Sequence, residues 1–285
     1  EDIQLIQNDT KTCPDTGMAG ASRSLYMDGN ATIIAANKLL AAMRKEDGTL
    51  RTYDEMKAEG IETKYLGRYE TNTTPGLCRL DPNTGIGDPT PAFTYCLNLA
   101  EVEVDTKTGK TTVLKFTCVD FVGRIGNIDA VNGQAYSGIM HGIGFALKED
   151  YADVKKHANM FGAGTSYIKD VPDDINLIHI DGAISDGPFG SSGASEAFQA
   201  SGHCAVLNGI YNACGVRIHE IPALPEKVKA GLDAIAKGEK PYEPKKYFLG
   251  SDMYEELENI KENPVQVGTQ SFYVSLDDPT AERPF

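Results

Sequence analysis

The chain has 285 residues, 41% hydrophobic and 24% charged, and its 41 acidic side chains against 27 basic ones give a net charge of -14. That length buries a substantial core, in one large domain or two modest ones, while the negative balance repels nucleic-acid backbones and anionic membrane surfaces, so neither is expected as a partner. No stretch approaches the roughly 18 consecutive apolar residues of a membrane span, and the opening Glu1-Asp2-Ile3-Gln4 has neither the basic nor the apolar region of a signal peptide.

The start without Met reads as processing or trimming. Residues 3–7 read as a short strand. A loop of small residues, 14–24, then feeds a helical run over 31–40. Thr52 with Glu55 forms a capping box that starts a short helix through Ala58, stopped by Gly60. Residues 67–92, rich in Gly, Pro, Thr and Asn, read as a connection. Alternating apolar and polar residues over 94–104 and 111–122, joined through 105–110, predict a β-hairpin. Asn132-Gly133-Gln134 opens an apolar helix in which Gly138, Gly142 and Gly144 allow close packing on another backbone. A strand over 177–180, a helix over 196–213 closed by Gly215, and an amphipathic helix over 225–237 follow. From Gly238 the composition shifts to Lys, Glu, Pro and Tyr, with a helix expected over 252–262, so 238–285 reads as an extension that wraps a surface or a partner. The fold class is α/β with a mixed sheet.

Cys13, Cys78, Cys96, Cys118, Cys204 and Cys214 are at least ten residues apart, so neither a CxxC zinc pair nor iron–sulfur spacing is present. Several fall in apolar runs, Cys96 and Cys118 in expected strands and Cys204 and Cys214 in an expected helix, and read as reduced core thiols in a large intracellular protein, with the cytoplasm as the expected location. The richest local feature is Asp186-Gly187-Pro188-Phe189-Gly190-Ser191-Ser192-Gly193-Ala194-Ser195-Glu196. It is either a surface loop ending in a helix-start acid or a built site, where small side chains leave backbone N–H groups uncovered and a carboxylate stands at a cavity edge.

Several ordered stretches carry a resemblance: Pro14-Asp15-Thr16-Gly17 with Gly20-Ala21-Ser22-Arg23, Asn132-Gly133-Gln134 with Gly142-Ile143-Gly144, Gly162-Ala163-Gly164, the turn 186–196, and Asn212-Ala213-Cys214-Gly215-Val216-Arg217. Over residues 3–237 the chain resembles the C-terminal part of the molybdenum hydroxylases, the xanthine oxidase family, and most nearly the bacterial aldehyde oxidoreductases. The resemblance implies a molybdenum cofactor-binding domain over 1–237. Gly20, Ala21, Ser22, Arg23 and Ser24 would cradle the phosphates and dithiolene of molybdopterin cytosine dinucleotide, joined by Ser191, Ser192 and Gly193. Gln134 would bond the pterin, its amide offering both donor and acceptor; without the resemblance it reads as a helix-start amide. Glu196 would be the catalytic base beside the molybdenum, its pKa raised by enclosure near Phe189 and Phe198. No protein side chain is expected to ligate the metal directly.

The implied reaction is oxidative hydroxylation of an aldehyde or N-heterocycle with water as oxygen source, a xanthine- or nicotinate-type dehydrogenase being the alternative. Electrons would leave to [2Fe-2S] clusters, and to FAD, on partner chains, and another molybdopterin-binding chain would complete the site. Two departures stand out. Ser195 replaces the usual Gly before the base, which would strain Glu196 if that position needs φ > 0. Phe198 and Gln199 stand beside the expected substrate channel, where relatives read otherwise. His141, where relatives often carry Gln, is a substrate-facing or proton-handling residue, or a satisfied helix histidine. A non-catalytic scaffold that keeps the fold is the reading from a different class.

Overall fold

The computed structural model describes residues 9–15, 17, 19–71, 90, 92–153 and 155–239. The chain divides into two compact units, Glu1–Pro241 and Tyr242–Phe285, and every described residue belongs to the first. The expected strand over 3–7, the expected helix over 252–262 and most of the connection 67–92 lie outside the described residues.

The N-terminal helix α1 runs Ser24–Met43, seven residues earlier than the periodicity over 31–40 suggests. Gly29 and Asn30 weaken helix propensity, but tertiary contacts hold them. The Asn30 side-chain amide donates to the carbonyls of Tyr26 and of Asp186, each at 3.0 Å. The expected capping box is formed: Thr52 Oγ1 accepts from Glu55 N, and the Glu55 carboxylate accepts from Thr52 N, opening α2 at Tyr53–Ala58.

The hairpin forms as its alternation requires, with β1 at Tyr95–Val104 and β2 at Thr111–Phe121 antiparallel and a bulge at Glu101/Val102. Strand β3, Asp174–His179, pairs with β2 in parallel. A parallel neighbour demands a long crossover, and the helices α3, Ile128–Leu147, and α4, Met160–Ala163, lie within it. The result is a three-stranded mixed sheet in the order β1-β2-β3. Helix α3 starts earlier than residue 132 because Asn127 Oδ1 accepts from Ala130 N and caps it.

The single helix expected over 196–213 is two, α5 at Ser195–Ala200 and α6 at Gly202–Cys214, followed by α7 at Pro225–Ala236. The break falls at Ser201, whose hydroxyl accepts from the Asn98 amide at 2.9 Å. The glycines of α3 serve the predicted purpose: a Cβ at Gly138 would lie 2.6 Å from the Phe198 Cβ, and one at Gly142 would lie 2.9 Å from the Gly202 Cα. Helices α3, α5 and α6 thereby cover the inner sheet face, enclosing Phe116, Cys118, Ile139, Ile143, Phe198 and Val206. A smaller cluster of Ile210, Val216, Ala223 and Val228 seats α7. Cys204 departs from the core reading. The buried stripe of α6 is Gly202, Val206 and Ile210, which leaves Cys204 exposed between its turns.

Candidate functional site

Two small-residue segments more than 160 residues apart in sequence meet at the start of α1. Ala21 and Ser22 adopt φ of 53° and 56° in succession, a left-handed conformation that costs L residues about 1–2 kcal/mol each. The second segment holds them there. Ser22 Oγ accepts from Glu196 N at 2.9 Å, and Gly193 lies so close that a Cβ on it would stand 1.6 Å from the Ser22 carbonyl oxygen. Farther along α1, Gly29 admits the Pro188 ring, which would meet a Cβ there at 2.6 Å.

The turn before Glu196 is anchored on its other side by the sheet. Ser191 forms an antiparallel bridge with Gly123, and its hydroxyl donates to the Arg124 carbonyl at 2.6 Å. Ser191 and Ser192 are both buried. Phe189 takes a left-handed φ of 53° and is 81% exposed.

Between these segments lies a cleft of about 670 Å³, within the usual size of small-molecule and cofactor sites. Ala21, Ser22 and Arg23 line it on one side, Ser192, Gly193 and Glu196 on another, and Tyr95, Cys96 and Ser201 elsewhere. Helix α1 has no side-chain cap and no acid in its first turn. Its first N–H groups lack helical partners, and consecutive left-handed residues just before them make a concave backbone of the kind that takes anions. A phosphate-bearing group fits this donor set. Tyr26 also borders the cleft, its phenol pushed up by burial and by the Tyr69 hydroxyl.

The predicted residues divide into those brought together and those that are not. Ala21, Ser22, Arg23, Ser192, Gly193 and Glu196 share the cleft. Gly20 stands outside its lining, its carbonyl accepting from Arg23 N at 3.3 Å. Ser24 is the first residue of α1, and the Ser191 hydroxyl is committed to Arg124. Gln134 is exposed on α3 and does not line the cleft; the cap at Asn127 places it well inside the helix rather than at its start.

Glu196 is exposed on the first turn of α5, which corrects the expectation of an enclosed acid. The two aromatic rings expected around it go elsewhere: Phe189 faces solvent and Phe198 is fully buried in the core. Phe198 is therefore a packing residue against α3, not a channel wall. Phe198→Ala is expected to cost about 3–5 kcal/mol, read as a lowered midpoint in chemical denaturation. Gln199 and His141 are half-buried and away from the cleft, His141 standing 6.2 Å edge-on from the Phe145 ring. Ser195 raises no strain, because it is the first residue of α5 and does not have a positive φ. Tyr26, Cys96 and Ser201 were missed by sequence reasoning. For Cys96 the signal was present in the strand alternation, which turns it to the same face as Asn98 and Ala100.

Among the described residues no group of three His, Cys, Asp or Glu side chains is placed to hold a metal ion, and no helix is long and apolar enough to cross a membrane.

The family profile described as molybdopterin cofactor-binding domain matches residues 1–172. The aldehyde oxidoreductase of Megalodesulfovibrio gigas is 42% identical over 234 residues, covering 82% of this chain and 26% of that protein. The crystal structure of the aldehyde oxidoreductase from Desulfovibrio desulfuricans superposes with a TM-score of 0.73 at 44% identity, covering 79% of this chain and 24% of that one. The gamma subunit of the 6-hydroxypseudooxynicotine dehydrogenase complex of Paenarthrobacter nicotinovorans is 24% identical over 269 residues, 84% of this chain and 33% of the subunit. The chain thus spans about a quarter to a third of the length of these relatives. With the matched profile over more than half its length, it belongs to the molybdopterin cofactor-binding domain family of the molybdenum hydroxylases.

Proposed function

We propose that this chain supplies one wall of a molybdopterin site and the catalytic base of an enzyme that hydroxylates an aldehyde or an N-heterocycle with water as the oxygen source. The observation that carries this reading is the junction of Ser22, Gly193 and Glu196 on one cleft, with an anion-binding backbone on one side and a carboxylate on the other. In this reading Ala21, Ser22, Arg23 and the start of α1 hold the phosphates of the cofactor in its cytosine dinucleotide form. When bound, the molybdenum–pterin group supplies two-electron oxidation chemistry at the substrate carbon. Glu196 takes up the proton released as water becomes the transferred oxygen. Its backbone N–H, fixed on Ser22 Oγ, sets where the carboxylate begins.

The outer sheet face supports a partner polypeptide. Tyr95, Leu97 and Leu99 of β1, Ile178 of β3 and Ile180 just beyond it are between 44% and 64% exposed on the face they share with Val119 of the intervening β2, an apolar surface of the kind that marks an interface. We assign to it the remaining molybdopterin-binding polypeptide. Iron–sulfur clusters and FAD belong to further chains, in keeping with the wide cysteine spacing here. Cys96, Cys118, Cys204 and Cys214 are present as thiols, which suits the cytoplasm. Purified with its partner chains, the protein is expected to contain molybdenum, pterin and iron by elemental and fluorescence analysis. An intact complex free of molybdenum and pterin overturns the reading in favour of a non-catalytic scaffold.

A further inference from the structure

The inner face of the sheet holds a pair of thiols beside a buried carboxylate. Cys96 of β1 pairs with Asp120 of β2, and Cys118 pairs with Asn98, so both sulfurs lie on one face; their Sγ atoms are 3.4 Å apart. Cys118 is fully buried, whereas Cys96 is half-buried and lines the cleft beside Glu196 and Ser201. Reagents entering the cleft meet Cys96 first.

The two thiols are unequal. The contact with the Cys118 thiol holds the Cys96 thiol below its usual range, and the same contact together with burial pushes Cys118 up. Asp120, the next inward-facing residue of β2, is 1% exposed. Its Oδ2 lies 2.7 Å from His179 Nδ1, and His179 Nε2 lies 2.8 Å from Asn132 Oδ1. Asp120 Oδ1 is buried with no hydrogen-bond partner. An attacking thiol, a resolving thiol and a buried acceptor therefore occupy one face.

We propose that Cys96 is a redox-modification site on the wall of the cleft, exchanging with low-molecular-weight disulfides and resolved by Cys118 into an intramolecular disulfide. The Cys96 thiolate attacks one sulfur of R–S–S–R, forming Cys96–S–S–R and releasing one thiolate, RS⁻. Cys118 then attacks the Cys96 sulfur and expels the second RS⁻. Two cysteine thiols are oxidised by two electrons, one external disulfide is reduced to two RSH, and the two thiol protons end on those products. Closing the pair shortens 3.4 Å to about 2.05 Å, drawing the start of β1, which borders the cleft, toward β2. The mixed disulfide places a bulky group next to Glu196. Until Cys118 expels that group, the mixed disulfide obstructs the cleft, whatever the cleft receives.

The test treats the full chain, in its purified complex, with oxidised glutathione, then quenches with N-ethylmaleimide and maps tryptic peptides by mass spectrometry. Peptide 80–107 carries Cys96 and peptide 116–124 carries Cys118. Expected are a glutathione adduct on 80–107, its conversion to a linked 80–107/116–124 pair, and reversal of both by dithiothreitol. Cys118→Ser is expected to keep the adduct and lose the link. Cys96→Ser is expected to slow modification of Cys118 by at least fivefold. An unmodified 80–107 while the exposed Cys204 carries glutathione overturns the proposal, as does a Cys118 that reacts equally fast without Cys96.

Discussion

Glu196→Gln is expected to lower kcat/KM of the assembled, cofactor-loaded enzyme by about 10²–10⁴-fold, the range supplied by a positioned general base, while molybdenum and pterin contents stay at wild-type levels. The substitution is close to isosteric and keeps the backbone N–H that Ser22 Oγ accepts, so the cleft junction survives. What it removes is the ability to take a proton. Because Glu196 is exposed at the mouth of the cleft, nothing in the described core depends on its charge, and the unfolding midpoint should hardly move. Turnover within threefold of wild type, with the cofactor present, would remove Glu196 from the chemistry. Loss of the cofactor together with turnover would instead give the residue a structural part in holding the site.

The sequence was most readable where a local rule acts alone. The Thr52/Glu55 box and the β-hairpin needed only side-chain reach and period-two alternation, and the glycines of α3 marked a helix pressed on other backbones. Local rules failed where distant residues decide. Helix α1 continues through Gly29 and Asn30 because Pro188 and Asp186, more than 150 residues away in sequence, pack on and bond to that turn. The break at Ser201 depends on Asn98 of another strand. The candidate site follows the same division. The two small-residue stretches were legible as concave backbone, but their mutual contact through Ser22 and Gly193 was not. Phe198 stands two residues from Glu196, yet on a short helix two residues turn a side chain about 200°, which carries it into the core while the acid stays outside. Glu196 is left exposed because Phe198 turns into the core and Phe189 to solvent, an outcome set by packing rather than by their closeness in sequence.

Gly193→Ala should be the most damaging single-methyl change in the site. The added Cβ would lie 1.6 Å from the Ser22 carbonyl oxygen and 2.6 Å from its carbon, and backbone cannot yield as a flexible side-chain end can. Either the turn at Ser192 or the left-handed pair Ala21 and Ser22 must shift. The turn is held by the Ser191 bridge to Gly123 and its bond to Arg124, so the strained pair should give way, since it already stores unfavourable φ values. As it moves, Ser22 Oγ leaves Glu196 N, and the concave backbone before α1 opens. The buried cluster between the sheet and its helices contains none of Ser22, Gly193 and Glu196. The expected result is a chain that keeps its far-ultraviolet circular dichroism, loses about 2–4 kcal/mol of stability in denaturant, and retains less than a tenth of the wild-type molybdenum and pterin when purified with its partners. A Gly193→Ala protein with full cofactor content would mean that Ser22 and Gly193 do not meet as described, and the two-segment cleft would then have to be abandoned.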